Sequence, residues 1–377
     1  MKKCLLLIPR MGNGGAERVM ATIANNLCRE HEVRIVTMTD DAESFYPLDG
    51  CVSIKGLGRG VNRKNKITKL FTMATGGVRV FFALRREIKT WKPDVVLSFL
   101  QSANAMAILS KMLGAKCRLV VSERCDPAER SRLNRWFERC FYRKADVVVC
   151  QSRKVIDFFS EKHRGNCVVI PNPIAADAIP PRYEGERRKT VVGVGRLDTQ
   201  KNFKMLISAF SKLPEQFADY TLEIYGGGWQ EKELQAHVEA LGLQGRAHLM
   251  GVKKGVMHYI SDAALYVMSS DFEGFPNALV EAMATGLPVI STDFSTGVAR
   301  DLIGEKNGIV IPVGDEAALV EAMTKMLSDE SRWEDMSRAN RELLETLSES
   351  RVMALWNEVL RLPTEQEEMG ENEVENV

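Results

Sequence analysis

Short apolar runs alternate with helix-period stretches along most of the chain, and this alternation narrows the choice of fold more than any other feature. Cys4–Pro9 reads as a buried strand, and Val19, Met20, Ile23, Ala24 and Leu27 then share one helical face. Further strands are expected at Val33–Thr37, Cys51–Lys55, Asp94–Phe99, Arg118–Ser122, Asp146–Cys150 and Val168–Pro171. Helices are expected at 16–28, 66–91, 102–112, 128–143 and 152–163. Residues 173–188 are proline-rich and polar, and read as a linker. The pattern then restarts, with strands at Thr190–Gly195, Tyr220–Tyr225, Ala247–Met250, Ala264–Met268, Leu287–Thr292 and Gly308–Ile311. Helices are expected up to about 213, near 231–241, and at 315–328, 330–346 and 349–361. The expectation is two doubly wound, mostly parallel α/β domains, 1–172 and 189–347. A last helix occupies 348–362, and the acidic tail 363–377, without aromatics, is expected to be disordered.

The net charge of +1 hides a split. Residues 1–175 hold 31 Lys/Arg against 16 Asp/Glu, and the remainder 20 against 34. A basic half suits an anionic partner such as a membrane surface, a phosphorylated lipid or nucleic acid, and equally suits a dipole holding two halves together. All eight cysteines lie in the basic half, without a CxxC pair. That argues against a disulfide framework or a zinc site and fits a reducing compartment. The apolar start Cys4–Pro9 is too short for a signal peptide, and Val95–Leu109 is too short and too polar to span a bilayer. A cytoplasmic protein is expected, with peripheral membrane contact as one option. The stripe Leu133, Trp136, Phe137, Cys140 and Phe141, interleaved with Arg130, Arg132, Arg135, Arg139 and Arg143, suits a helix lying on a membrane and equally one packed on its own sheet.

The stretch from Ser269 to Ala284 holds two carboxylates eight positions apart. Glu273 follows the run Ala264–Met268 on a strand-end loop, where Gly274 permits a turn and Pro276 suits a helix start. Glu281 falls about one turn into that helix. A helix N-terminus attracts phosphate, and carboxylates accept from sugar hydroxyls, so the pair matches the layout of a nucleotide sugar. In Gly195-Arg196-Leu197-Asp198 and Lys201-Asn202, Arg196 offers a fork and Lys201 a point charge for a diphosphate. Gly226-Gly227-Gly228 suits either a ligand approach or a tight turn. Gly14 and Gly15 in the loop Gly12–Arg18 let backbone N–H groups approach a phosphate, though the spacing is not that of dinucleotide binding. Glu123, Arg124 and Asp126 either face an acceptor or cap the next helix. No Asp-x-Asp occurs, so a metal-held diphosphate is unsupported.

With these motifs the chain resembles the family-4 retaining glycosyltransferases of the GT-B fold, two Rossmann-like domains around a cleft. The resemblance rests on Glu273 and Glu281 in FEGFPNALVEAMATGLPVI, supported by GRLDTQKN and GGAER, and spans nearly the whole chain. It implies that Arg196 and Lys201 bind the donor diphosphate. Glu273 would contact the donor sugar with the backbone of Gly274, Phe275, Pro276 and Asn277, Glu281 would take the ribose, and Val252 would frame the base. It further implies retention of configuration, no metal or other cofactor, no nucleic-acid partner, and a last helix crossing back to the first domain. Arg124 stands where many relatives carry His. GGAER and SERxDP look most like members that extend lipid-linked oligosaccharide or lipopolysaccharide core. The expected reaction moves a hexose or N-acetylhexosamine from a nucleotide sugar, UDP-linked by family habit, to a lipid-linked glycan. A soluble acceptor, or an inactive nucleotide-sugar-binding protein, are the alternatives.

Overall fold

A computed structural model describes residues 1–40, 42–58, 66–159 and 165–361. The described residues form two sheets in which every strand pairing is parallel. The first contains β1 (Lys3–Ile8), β2 (Glu32–Thr37), β3 (Val52–Gly56), β4 (Val95–Phe99), β5 (Arg118–Ser122), β6 (Val147–Cys150) and β7 (Cys167–Val169), in the order β3-β2-β1-β4-β5-β6-β7. The second contains β8 (Arg188–Val194), β9 (Thr221–Tyr225), β10 (Ala247–Gly251), β11 (Ala263–Met268), β12 (Val289–Thr292) and β13 (Gly308–Ile311), in the order β10-β9-β8-β11-β12-β13. The central strands are apolar throughout because helices cover both faces, which removes the need for alternation. Each sheet therefore has a separate core on each face.

The chain divides into two compact units, Met1–Pro171 with the segment from Val352, and Asn172–Arg351. The last helix, Glu349–Leu360, straddles the division. Its Val352, Met353, Trp356 and Leu360 are buried in the first unit's core, and the Arg118 Nε donates to Val359 O at 2.9 Å.

Several expectations are corrected. The proline-rich 173–188 is not a free linker. Ile174 N donates to Leu347 O at 2.9 Å, and Arg341 donates to Pro180 O at 3.1 Å. Arg182 pairs with Glu334, and β8 already begins at Arg188. The expected helix 128–143 is a 3-10 turn at Pro127–Glu129, a helix at Arg132–Phe141 and a second 3-10 turn at Tyr142–Lys144. The expected helix 152–163 is helical only at Arg153–Ile156 within the described residues, and 160–164 lie outside them. The expected 330–346 helix breaks into Trp333–Arg341 and Leu343–Thr346. Cys28 and Cys51 are joined as a disulfide, although the sequence argues against a disulfide framework. The carboxylate of Asp49 lies beside them, but the two sulfurs are spent on each other. The tail 363–377 and the side chain of Leu133 lie outside the described residues.

Candidate active site

In open α/β sheets ligands collect beyond the carboxyl ends of the strands, where the strand order reverses. In the second sheet that point lies between β8 and β11. The loop after β8 carries Arg196 and Lys201, and the loop after β11 carries Glu273. The fold thus brings together motifs some 70 residues apart, and the two loops are stitched to each other. Asp271 N donates to Gln200 O at 2.8 Å, Asn202 Nδ2 to Asp271 Oδ1 at 2.8 Å, and Ser269 Oγ to Lys201 O at 2.8 Å.

The Lys201 ammonium meets Glu273 Oε1 at 2.5 Å, with both side chains largely buried. Ser270 Oγ donates to the same oxygen at 2.8 Å, and Gln200 Nε2 to Oε2 at 3.3 Å. Gln200 also donates to Phe272 O and accepts from Arg196 Nη2 at 3.0 Å. Gln200 and Ser270 were missed in the sequence, where a lone amide and a serine carry no pattern. Arg196 remains mostly exposed, with Asp198 as a second partner at 3.2 Å. Gly195 is required here, since a Cβ would sit 2.8 Å from the Lys201 side chain that crosses it.

The helix Asn277–Thr285 begins immediately after the Glu273 loop and has no side-chain cap; Asn277 N donates to Phe275 O at 3.0 Å, and a helix start of this kind suits an anionic ligand. Gly274 is half-buried, Phe275 and Pro276 are buried, and Asn277 accepts from Asn172 Nδ2 at 2.8 Å. Glu281 lies within the helix, half-buried. Tyr266 on β11 is a shared neighbour of the two glutamates. Burial pushes its hydroxyl well above the usual range, and the charges of Glu273 and Glu281 push it further. Val252 is exposed just past β10. The triple glycine serves close packing of loop on loop. Gly226 has φ +151 and a Cβ there would overlap Gly195 O, while a Cβ on Gly228 would strike Leu197 O.

In the first unit the order reverses between β1 and β4. Gly14 precedes the helix Gly15–Leu27, which also lacks a side-chain cap, and the buried Glu17 packs so close that a Cβ on Gly14 would collide with it. Glu123 is engaged internally. It pairs with Arg130, accepts from Tyr142 Oη at 3.3 Å and accepts from Arg124 N at 3.0 Å, while Arg130 also pairs with Glu138. Asp126 caps the 3-10 turn by accepting from Ala128 N at 2.9 Å. Arg124 is buried, with its guanidinium 4.2 Å from the Phe99 ring and 5.5 Å from that of Trp356. Burial pulls it down to about 9, opposed by the charge of Glu123.

Residues 13–178 match the family described as Glycosyltransferase Family 4, and residues 177–343 match Glycosyl transferases group 1. The chain is similar to the GalNAc-alpha-(1->4)-GalNAc-alpha-(1->3)-diNAcBac-PP-undecaprenol alpha-1,4-N-acetyl-D-galactosaminyltransferase of Campylobacter jejuni, 31% identical over 88% of this chain and 90% of the relative. It is 24% identical to the amylovoran biosynthesis glycosyltransferase AmsD of Erwinia amylovora, over 96% of this chain and the whole of the relative. Among solved structures, sucrose-phosphate synthase from Thermosynechococcus elongatus shares the fold with a TM-score of 0.80 at 18% identity, covering 96% of this chain and 98% of that one. Two doubly wound parallel sheets, each with polar loops at its switch point, define the GT-B class of glycosyltransferase. The chain belongs to the family-4 glycosyltransferases within it.

Proposed function

We propose that this enzyme moves an N-acetylhexosamine or hexose from a UDP-linked sugar to a lipid-diphosphate-linked glycan in cell-surface glycan synthesis. Transfer keeps the anomeric configuration and uses no metal. The observation that carries the reading is the Lys201–Glu273 pair at the second sheet's switch point, buttressed by Ser270 and Gln200 beside an uncapped helix start. Arg196 and Lys201 then receive the diphosphate, Glu273 and the backbone of Gly274–Asn277 the sugar, Glu281 the ribose, and Val252 the base. On the first unit, the N–H groups of Gly14 and Gly15 serve the donor, and Glu123 and Arg124 line the acceptor side, Glu123 by holding Arg130 and Arg124 in place. The leaving diphosphate takes the acceptor proton, and the protein supplies position and charge. The diphospho-undecaprenol glycan in the Campylobacter relative's name supports a lipid-linked acceptor.

No helix among the described residues is long and apolar enough to cross a membrane. Val78, Phe82, Met112, Leu113 and Trp136 are exposed on a unit rich in Lys and Arg. That combination suits the cytoplasmic face of an anionic bilayer. The test is a thermal-shift panel of UDP-GalNAc, UDP-GlcNAc, UDP-glucose and GDP-mannose, followed by transfer to an undecaprenyl-diphosphate glycan in the presence of EDTA. One UDP sugar should stabilise the protein and give an α-linked product. Transfer abolished by EDTA, or stabilisation by no nucleotide sugar, would overturn the reading. Binding to anionic vesicles should weaken as salt rises.

A further inference from the structure

The loop between β2 and β3 is acidic within a basic unit. Residues 40–50 hold Asp40, Asp41, Glu43 and Asp49 and no Lys or Arg. It is also firmly tied down. Ser44 bridges Met11, and Phe45 N donates to Met11 O at 3.0 Å. Tyr46 Oη donates to Asn13 O at 3.1 Å, Asn25 Nδ2 to Pro47 O at 3.2 Å, and Asp49 N to Asn25 Oδ1 at 2.9 Å. The Cys28–Cys51 disulfide fastens its far end. Tyr46 and Leu48 pack on the core, but Phe45 between the tethers is 66% exposed, standing edge-on to Tyr46 at 5.3 Å. Single exposed apolar residues are common on protein surfaces. This one is held in place, and its anchors are Met11 and Asn13 of the glycine loop at the sheet's ligand edge.

We propose that Phe45 is the platform on which a pyranose ring of the acceptor glycan stacks, with the exposed Glu43 accepting from its hydroxyls. The proposal rests on the glycan-transfer reading above. An aromatic face covers the C–H face of a sugar, and carboxylates accept its O–H groups. The acidic loop repels phosphate and an anionic lipid surface, which leaves the neutral sugar portion of the acceptor as the occupant.

The test uses the full-length enzyme and methyl α-N-acetylgalactosaminide without donor, read by saturation-transfer NMR. Wild type should saturate the ring C–H protons, Phe45→Trp should retain the signal, and Phe45→Ala should weaken binding about tenfold, as befits one lost aromatic contact. In the transfer assay Phe45→Ala should raise the acceptor KM while the donor-induced thermal shift persists. A folded Phe45→Ala variant with unchanged sugar signal overturns the proposal, as does a wild type that binds no glycoside. Loss of anionic-vesicle binding in Phe45→Ala, with the sugar signal intact, would also overturn it. If wild type binds the glycoside but no nucleotide sugar stabilises it, the donor reading fails and the subsite stands.

Discussion

Glu273 is held by Lys201, Ser270 and Gln200, Glu281 sits a turn into the following helix, and the proposed function gives the two different roles. Glu273→Ala should mainly lower turnover, and Glu281→Ala should mainly weaken nucleotide binding. Unchanged activity in both would sink the site assignment. Gln200 touches Arg196 on one side and Glu273 on the other. Gln200→Ala should lower kcat by at least about tenfold, since a hydrogen bond to a charged group contributes roughly 1.5–3 kcal/mol and tenfold in rate needs about 1.4. A variant that loses stability but keeps kcat would show the amide to be structural. The glutamates, Arg196 and Lys201 were legible in the sequence because loop-end position and residue type coincide. Gln200, Ser270 and the Glu123–Arg130–Glu138 cluster were not, because their meaning comes from partners far along the chain. Arg124 was legible only as a departure, and its place beside the Phe99 and Trp356 rings was not legible.

Elements are held in register by a few buried charges as well as by apolar packing. Glu87, on the helix Lys66–Trp91, meets Arg34 of β2 and Lys55 of β3, each at 2.5 Å. Burial alone would raise its carboxyl, but the hydrogen bonds and charges of Lys55 and Arg34 outweigh that and hold it below the usual range. A depressed carboxyl contributes stability above its unfolded value, and loses it as pH falls through the lower folded one. Acid unfolding of Glu87→Gln should therefore show a shallower loss of stability below about pH 4.3 than wild type, as followed by circular dichroism. A steeper loss would refute the assignment. At the loop level, Gly226→Ala should cost at least about 3 kcal/mol in urea unfolding, because both φ and the Gly195 carbonyl exclude a side chain. Strands were the most legible elements, since a buried parallel strand is a plain apolar run. Helix ends were less so. Arg153–Ile156 continues as turns, and the short helix Val298–Leu302 lacks the length to display a period.

Across the molecule, two units with separate cores are expected to unfold as separate cooperative blocks. Calorimetry should resolve two transitions, and UDP should raise chiefly that of Asn172–Arg351, which supplies most of the proposed donor contacts. A single transition shifted as a whole would contradict this. The doubled architecture was legible because the strand–helix rhythm restarts at β8. The packing of 173–188 was not, because proline and polar residues signal the lack of regular structure rather than the lack of partners.

Order of synthesis gives the straddling last helix a further meaning. The ribosome delivers β1 through β7 early, but the face of that sheet which takes Val352, Met353, Trp356 and Leu360 stays uncovered until those residues emerge. Until those residues are made, the nascent first unit displays an apolar patch of the kind that draws chaperones. A premature stop anywhere in the second unit would damage the first as well.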